Sequence, residues 1–378
     1  MAAPPGAEAV KITKVELKRL RLPLDPPFRA AWDPVPRTRF DATIVRVETD
    51  EGLVGLGSGD TMDGFEPYAG LFLGRNPLQI SRHVRSLDTI SFHSGRYWPL
   101  EAALWDIVGQ ATGQPVSILF GGTLDRVPAY ASCGEVMPPA ARAESALALR
   151  EQGFRALKIR FVREDLAVGM ATVRAVREAV GDSMDIMVDL NQAWRMPGDI
   201  DPALDPASAR RTVGELGELG VLWVEEPLPG ADVAGFARLR AETGVRIAAG
   251  EMTRTLAELL GYLDADALDV YQPDVVLAVG MARARLVAEL ALFRNRWFTP
   301  HTWTNGLGFL ANLHVAAGVG AGPFLEFPFD PPGWTVERRD FFLEEPLWID
   351  AQGCVAVPAC PGLGARLADG AVARYAVH

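Results

Sequence analysis

The chain has 378 residues, a formal net charge of −11, 49% hydrophobic and 22% charged residues, which gives room for a large barrel and a smaller second unit with a substantial core. No basic run offsets the acidic balance, which excludes nucleic acid as the main partner. No stretch approaches a membrane span and the opening MAAPPGAEAVKITK lacks a signal-peptide core; Cys133, Cys354 and Cys360 form neither a CxxC pair nor a secreted framework, so reduced thiols and a cytoplasmic location are expected.

KITKVELKRLRLPL and DATIVRVETDEGLVGLG read as strands, with Asp50-Glu51-Gly52 as a turn. In WPLEAALWDIVGQATG, Leu100, Ala103, Leu104, Ile107 and Val108 form an apolar helical stripe that stops at Gly113. These pieces predict an α+β domain over residues 1–125. From about Val127 the pattern changes to strand then helix. The predicted strands are VPAYAS, ALKIRF, DIMVDL, VLWVEE, RIAAGE, LDVYQPD, WFTPHT and FLEFPF, with helices between them such as LAVGMATVRAVREAVG and MARARLVAELALF. Eight strands, each but the last followed by a helical pattern, predict a barrel over 126–330. The tail, 331–378, contains short pieces such as CVAVP and is expected to pack back on the first domain. The fold class is therefore α/β, a modified (β/α)8 (TIM) barrel with an N-terminal α+β capping domain completed by the C-terminal tail. An open doubly wound sheet would want a Gly-rich phosphate turn after its first strand, which is missing.

Three predicted strands end on acids: Asp189, Glu225 and Glu251. An unpaired charge at the edge of a core is costly, and in a closed parallel barrel neighbouring strand ends converge, so the three acids suggest one shared cation. The set contains only oxygen donors, which favours Mg²⁺ over Zn²⁺. Asn191, two residues beyond Asp189, is placed on the same strand face, within reach of a substrate oxygen; Glu226 faces away, toward a neighbouring strand. Lysine occurs only at Lys11, Lys14, Lys18 and Lys158. Lys158 and Arg160 share the inward face of the second strand. Arg160 cannot act as a base but can hold a carboxylate, whereas Lys158 can lose its proton if Arg160 and a metal depress its pKa. His301 and Asp274 end neighbouring strands, an arrangement that yields an oriented imidazole base. Glu326, at the same mouth, is expected to stay protonated if it lies near the other acids, and to donate to a substrate oxygen. His83, His93, His314 and His378 read as ordinary surface or core residues.

As an ordered set, DEGLVGLG, ALWDIVGQATGQPVSILFGG, VDLNQ, VEEP, GE, QPD, PHTW and LEF resemble the enolase superfamily, most closely its mandelate racemase subgroup. The resemblance implies that Asp189, Glu225 and Glu251 bind Mg²⁺, that His301 with Asp274 forms one acid/base, and that Glu326 donates to a substrate carboxylate. It places a second acid/base lysine where this chain has Arg160, in Lys158-Ile159-Arg160, which weighs against two-base racemisation. The implied partner is a small-molecule carboxylate, and the implied assembly a homo-oligomer, often an octamer. The expected chemistry is proton abstraction α to a carboxylate, followed by dehydration of an aldonate or aldarate; a racemase, epimerase or lactone cycloisomerase is the alternative. The stretches PPFRAAWDPVPRTRF and SGDTMDGFEPY are predicted to form a lid, with Phe28, Trp32 and Met62 as apolar members and Arg29, Arg37 and Arg39 as possible grips for distal oxygens.

Overall fold

The computed structural model describes residues 10–59, 62–162 and 165–377. Asp60 and Thr61 of the second lid stretch, and His378, lie outside these segments. The chain opens with an antiparallel sheet of β1 (Ile12–Phe28), β2 (Arg37–Thr49) and β3 (Val54–Gly59), in the order β1-β2-β3. Helix Trp98–Thr112 lies against β2 and β3. It buries Leu100, Ala103, Leu104 and Ile107 completely, as their helical spacing predicts. Gly57 permits the close approach: a Cβ there would stand 2.0 Å from the Pro99 carbonyl oxygen.

Eight parallel strands follow: β4 (Arg126–Ser132), β5 (Ala156–Arg160), β6 (Asp185–Asp189), β7 (Val224–Glu225), β8 (Ile247–Ala249), β9 (Val270–Tyr271), β10 (Trp297–Phe298) and β11 (Leu325–Pro328). They hydrogen-bond in the order β10-β9-β8-β7-β6-β5-β4-β11. The remaining seam closes beyond the end of β10, where Thr302 Oγ1 donates to the Glu326 carbonyl at 2.7 Å. A helix follows each of the first seven strands, and their apolar faces cover the outside of the ring.

Strand parity explains how the ring carries both a core and a site. Tyr130, Ala156, Met187, Trp223, Ala248 and Val270 form one buried cluster inside the barrel. Two residues further along the same inward face come Ser132, Lys158, Asp189, Glu225 and Gln272, so the polar layer sits directly above an apolar plug. Only β8 breaks this spacing, because Glu251 lies three residues beyond Ala248. Gly250, at φ +116°, supplies the turn that brings Glu251 back inward, a conformation that a side chain would strain.

The tail serves both units. Cys354–Ala356 forms β12, which pairs antiparallel with β4 rather than with the N-terminal sheet. The first residues of β4, Arg126–Pro128, lie below the ladders to β5 and β11, so β12 satisfies backbone groups that the ring leaves over. The rest of the tail packs on the N-terminal sheet: Trp334 lies against Phe28 and Phe40, Phe342 and Leu343 are buried with Leu20, Ala42 and Ile44, Arg338 Nη2 donates to the Asp25 carbonyl at 2.8 Å, and Ala376 bridges to Leu20. No described helix is long and apolar enough to cross a membrane.

Candidate active site

Asp189, Glu225 and Glu251 are buried at the mouth, each offering an oxygen within 4.8 Å of the others. The register sets Arg160 beside Asp189 and Asp189 beside Glu225. Asn191 donates to Asp189 from its backbone N–H at 2.8 Å and from Nδ2 at 3.2 Å. Lys158 Nζ donates to Glu225 Oε1 at 2.7 Å and Gln272 Nε2 to Glu225 Oε2 at 2.8 Å. Trp194 Nε1 donates to Glu251 Oε1 at 2.7 Å, while Glu251 Oε2 is buried with no hydrogen-bond partner. Burial, then repulsion among the acids, raises Asp189 and Glu251 above the usual carboxylate range. An all-oxygen set that includes an unused buried oxygen and self-repelling acids fits a hard divalent ion such as Mg²⁺.

Three neighbours differ from their sequence reading. The chain leaves β6 at Asp189, so Asn191 stands off the strand in a left-handed conformation, φ +48°, and folds back onto Asp189. Glu226, also left-handed at φ +47°, finds no ion pair and no partner for its buried Oε2 among the described residues, and burial with repulsion from Glu251 and Asp189 raises its carboxyl well above the usual range. Lys158 is not depressed. Burial lowers it, but Glu225, Glu326 and Asp189, at 2.7, 2.8 and 3.7 Å, outweigh that and raise it. It stands as a cation rather than a ready base.

Glu326 lies among cations as well as acids. Burial would raise its carboxyl, but Lys158, His301 and Arg160 together hold it well below the usual range. Both oxygens accept hydrogen bonds: Oε1 from Ser132 Oγ at 2.7 Å, Oε2 from the Thr302 N–H at 2.8 Å. Its Oε1 also lies 2.8 Å from Lys158 Nζ.

His301 and Asp274 meet as predicted, with Nδ1 3.0 Å from Asp274 Oδ2. Asp274 is itself fixed, its Oδ1 accepting from the N–H groups of Val276 and Leu277 at 2.8 and 3.1 Å. This leaves His301 Nε2 toward the mouth, 3.7 Å from Glu251 Oε2. Burial lowers the imidazole, but Glu251, Glu326 and Asp274 raise it to about 9. In the ring order β5 stands diametrically across from β9, so Lys158 and Arg160 face the dyad from the far side.

Arg160 is pinned there. Its Nη1 donates to Asp189 Oδ2 and, at 3.3 Å, to Asn191 Oδ1; its Nε is buried with no partner. The guanidinium lies 4.3 Å from the Trp32 ring and 5.6 Å from the Trp303 ring. Of the residues expected in the lid, Trp32 thus lies over Arg160 at the mouth, with Phe28 fully buried against it, and Met62 is fully buried as well. Arg37 is held by Asp33 and Arg39 by Asp41, acids of their own sheet region. Sequence reasoning missed Ser132, Gln272 and Trp194. The first two share inward parity with named residues and were open to discovery; Trp194 lies in a loop, where no periodicity points to it.

A family model described as enolase C-terminal domain-like matches residues 140–371. The 3,6-anhydro-alpha-L-galactonate cycloisomerase of Streptomyces coelicolor is 31% identical over 358 residues, covering 89% of this chain and 92% of its own. The D-galactarolactone cycloisomerase of Agrobacterium fabrum is 29% identical over 395 residues, covering 97% and 99%. A racemase from Streptomyces coelicolor crystallised with bound magnesium superposes with a TM-score of 0.83 at 29% identity, covering 97% of this chain and 100% of that one. Other relatives include L-talarate/galactarate dehydratase, arabinonate dehydratase and N-succinyl-L-Arg/Lys racemase.

Proposed function

The chain belongs to the enolase superfamily, in its mandelate racemase-like branch, and on that premise we propose that it removes the proton α to a carboxylate and then expels a β-oxygen from a sugar acid. The leading reaction is loss of water from an aldonate or aldarate to give a 2-keto-3-deoxy acid. The observation that carries this reading is the asymmetry of the mouth: one oriented imidazole on one side, and on the other a permanently charged guanidinium that cannot exchange protons.

Asp189, Glu225 and Glu251 would hold Mg²⁺, which when bound neutralises charge developing on the substrate carboxylate. Asp274 fixes His301 with Nδ1–H directed at Oδ2, so Nε2 presents its lone pair and takes the α-proton. The electron pair left on the α-carbon delocalises into the carboxylate as an enediolate. Arg160, with its unpartnered Nε–H, and Lys158 lie beside that charge as fixed donors. The enediolate then breaks the C–O bond at the β-carbon, and the His301 imidazolium returns its proton to the departing hydroxyl, releasing water. The enol that remains tautomerises to the 2-keto acid.

A second reading is favoured by the two cycloisomerases that match most of the chain. If the β-oxygen belongs to a ring, the same proton transfer opens the ring and the product is an isomer of the substrate. Incubation with Mg²⁺ and a panel of aldonates, aldarates and their lactone and anhydro forms tests both. Formation of 2-keto acid with loss of water by mass supports dehydration, and formation at unchanged mass supports ring opening. Exchange of the α-hydrogen for solvent deuterium with no keto acid would point instead to racemisation and overturn the elimination.

A further inference from the structure

We propose that Trp194 is a positioning residue for the metal triad: its indole N–H fixes the Glu251 carboxylate and so sets the affinity of the site for a divalent cation. The proposal rests on the triad described above and on none of the elimination chemistry.

The three acids are not held equally. Asp189 receives Asn191 and Arg160, and Glu225 receives Lys158 and Gln272. Among the described residues the Glu251 carboxylate receives a single hydrogen bond, from Trp194 Nε1 at 2.7 Å; the His301 ring is next, at 3.7 Å. Glu251 also lies outside β8, beyond Gly250, and its carbonyl accepts from the Asp274 N–H at a long 3.5 Å. The indole N–H is suited to the task because it orients a carboxylate without adding a positive charge to repel the ion.

Trp194 is in turn anchored through its backbone. Arg195 Nη1 donates to the carbonyls of Asn191, Gln192 and Trp194 at 3.3, 3.1 and 2.7 Å, and the Gly230 N–H donates to the Ala193 carbonyl at 3.1 Å. The side chain borders a cavity of about 460 Å³, shared with Glu226, Met252 and Tyr262. Packing therefore leaves part of the ring free, and the hydrogen bond to Glu251 ties the indole to the site.

Calorimetric titration of the whole protein with Mg²⁺, without substrate, provides the test. Trp194→Phe keeps most of the ring and removes the donor, and is expected to bind Mg²⁺ about 10–100-fold more weakly. Gln272→Leu should lose less, because Lys158 still holds Glu225. In the native protein, Mg²⁺ saturation should change the tryptophan emission, and Trp194→Phe should lose that change. Mg²⁺ affinity within about twofold of native in Trp194→Phe would overturn the proposal alone. Should that variant fail to fold, native emission that stays constant through calorimetric saturation overturns it equally. A native protein that binds no Mg²⁺ removes the triad reading and this proposal together.

Discussion

Two buried polar regions of this protein follow opposite rules. At the barrel mouth Lys158, Glu225 and Glu326 are fully inaccessible and Arg160 nearly so, yet each keeps its charge because an opposite charge lies beside it. At the seam where helix Trp98–Thr112 and the segment after it meet the barrel, Glu101 and His314 make no ion pair among the described residues. Glu101 accepts hydrogen bonds from the Ala282 N–H at 2.8 Å and Trp105 Nε1 at 3.2 Å, and burial pushes it up to about 7. His314 accepts from the Ser117 N–H at Nδ1 and is lowered by burial to about 4. Depth is common to both regions; the supply of counter-charge differs. The mouth therefore sets opposite charges side by side out of water, as a site for a cation and an anionic substrate requires, whereas burial at the seam shifts its groups toward their neutral forms.

The sharpest way to break the comparison is to remove a charge-handling group from the mouth. His301→Asn should lower 2-keto acid formation by about 10²–10⁴-fold, measured on whichever acid the panel identifies; near-native turnover would remove the base from the mechanism. Next in size, Lys158→Met leaves Glu225 and Glu326 facing each other without their shared cation. It should cost about 3–5 kcal/mol in denaturant unfolding with EDTA present, while a loss below about 1 kcal/mol would show that the carboxylates find other partners.

The seam gives a pH signature of opposite character. Glu101 has a folded pKa of about 7 against an ordinary 4.5, so the folded state holds its proton where the unfolded state has lost it. Its contribution is fully present below about 4.5 and is lost as pH rises through about 7, a change of at most about 3 kcal/mol. Glu101→Gln, neutral throughout, should therefore gain on the native protein as pH rises across that window, read as the difference in melting temperature. Parallel melting curves would mean that Glu101 is charged at neutral pH.

The smallest effect is a displacement. The rate should rise with pH as His301 becomes neutral. Asp274 is one of the carboxylates that raise the imidazole, so Asp274→Asn should move the ascending limb of the pH–rate profile to lower pH even as its maximum falls. A limb that stays in place would separate Asp274 from the proton affinity of His301.

How much of this was legible in the sequence depended on parity and neighbourhood. Asp189 and Glu225 sit at the inward ends of apolar strands, and Asp274 and His301 end adjacent strands, so local pattern and the rule that strand ends converge located them. Glu251 was legible only as the end of a run; that Gly250 turns it inward is a backbone fact. The surroundings of Lys158 and Glu326 were not legible, since the two lie 2.8 Å apart in space. Each depends on the other across the β4–β11 side of the ring, 168 residues apart in sequence, and no local pattern reports that distance. Trp194 was invisible for a different reason, since a loop donor is defined by where its loop returns. The tail packs on β1 and β2, as its reading expected, while the unpaired start of β4 also takes up Cys354–Ala356, a pairing that no local pattern announces.

The most direct measurement follows the α-hydrogen of a substrate acid by proton NMR in deuterated water, with the native protein in EDTA and again after Mg²⁺ is restored. Loss of that signal only when Mg²⁺ is present, and its persistence in Glu225→Gln under the same Mg²⁺, is the result expected from a cation gripped jointly by Asp189, Glu225 and Glu251. Proton loss that continues undiminished in EDTA would contradict the account at its base.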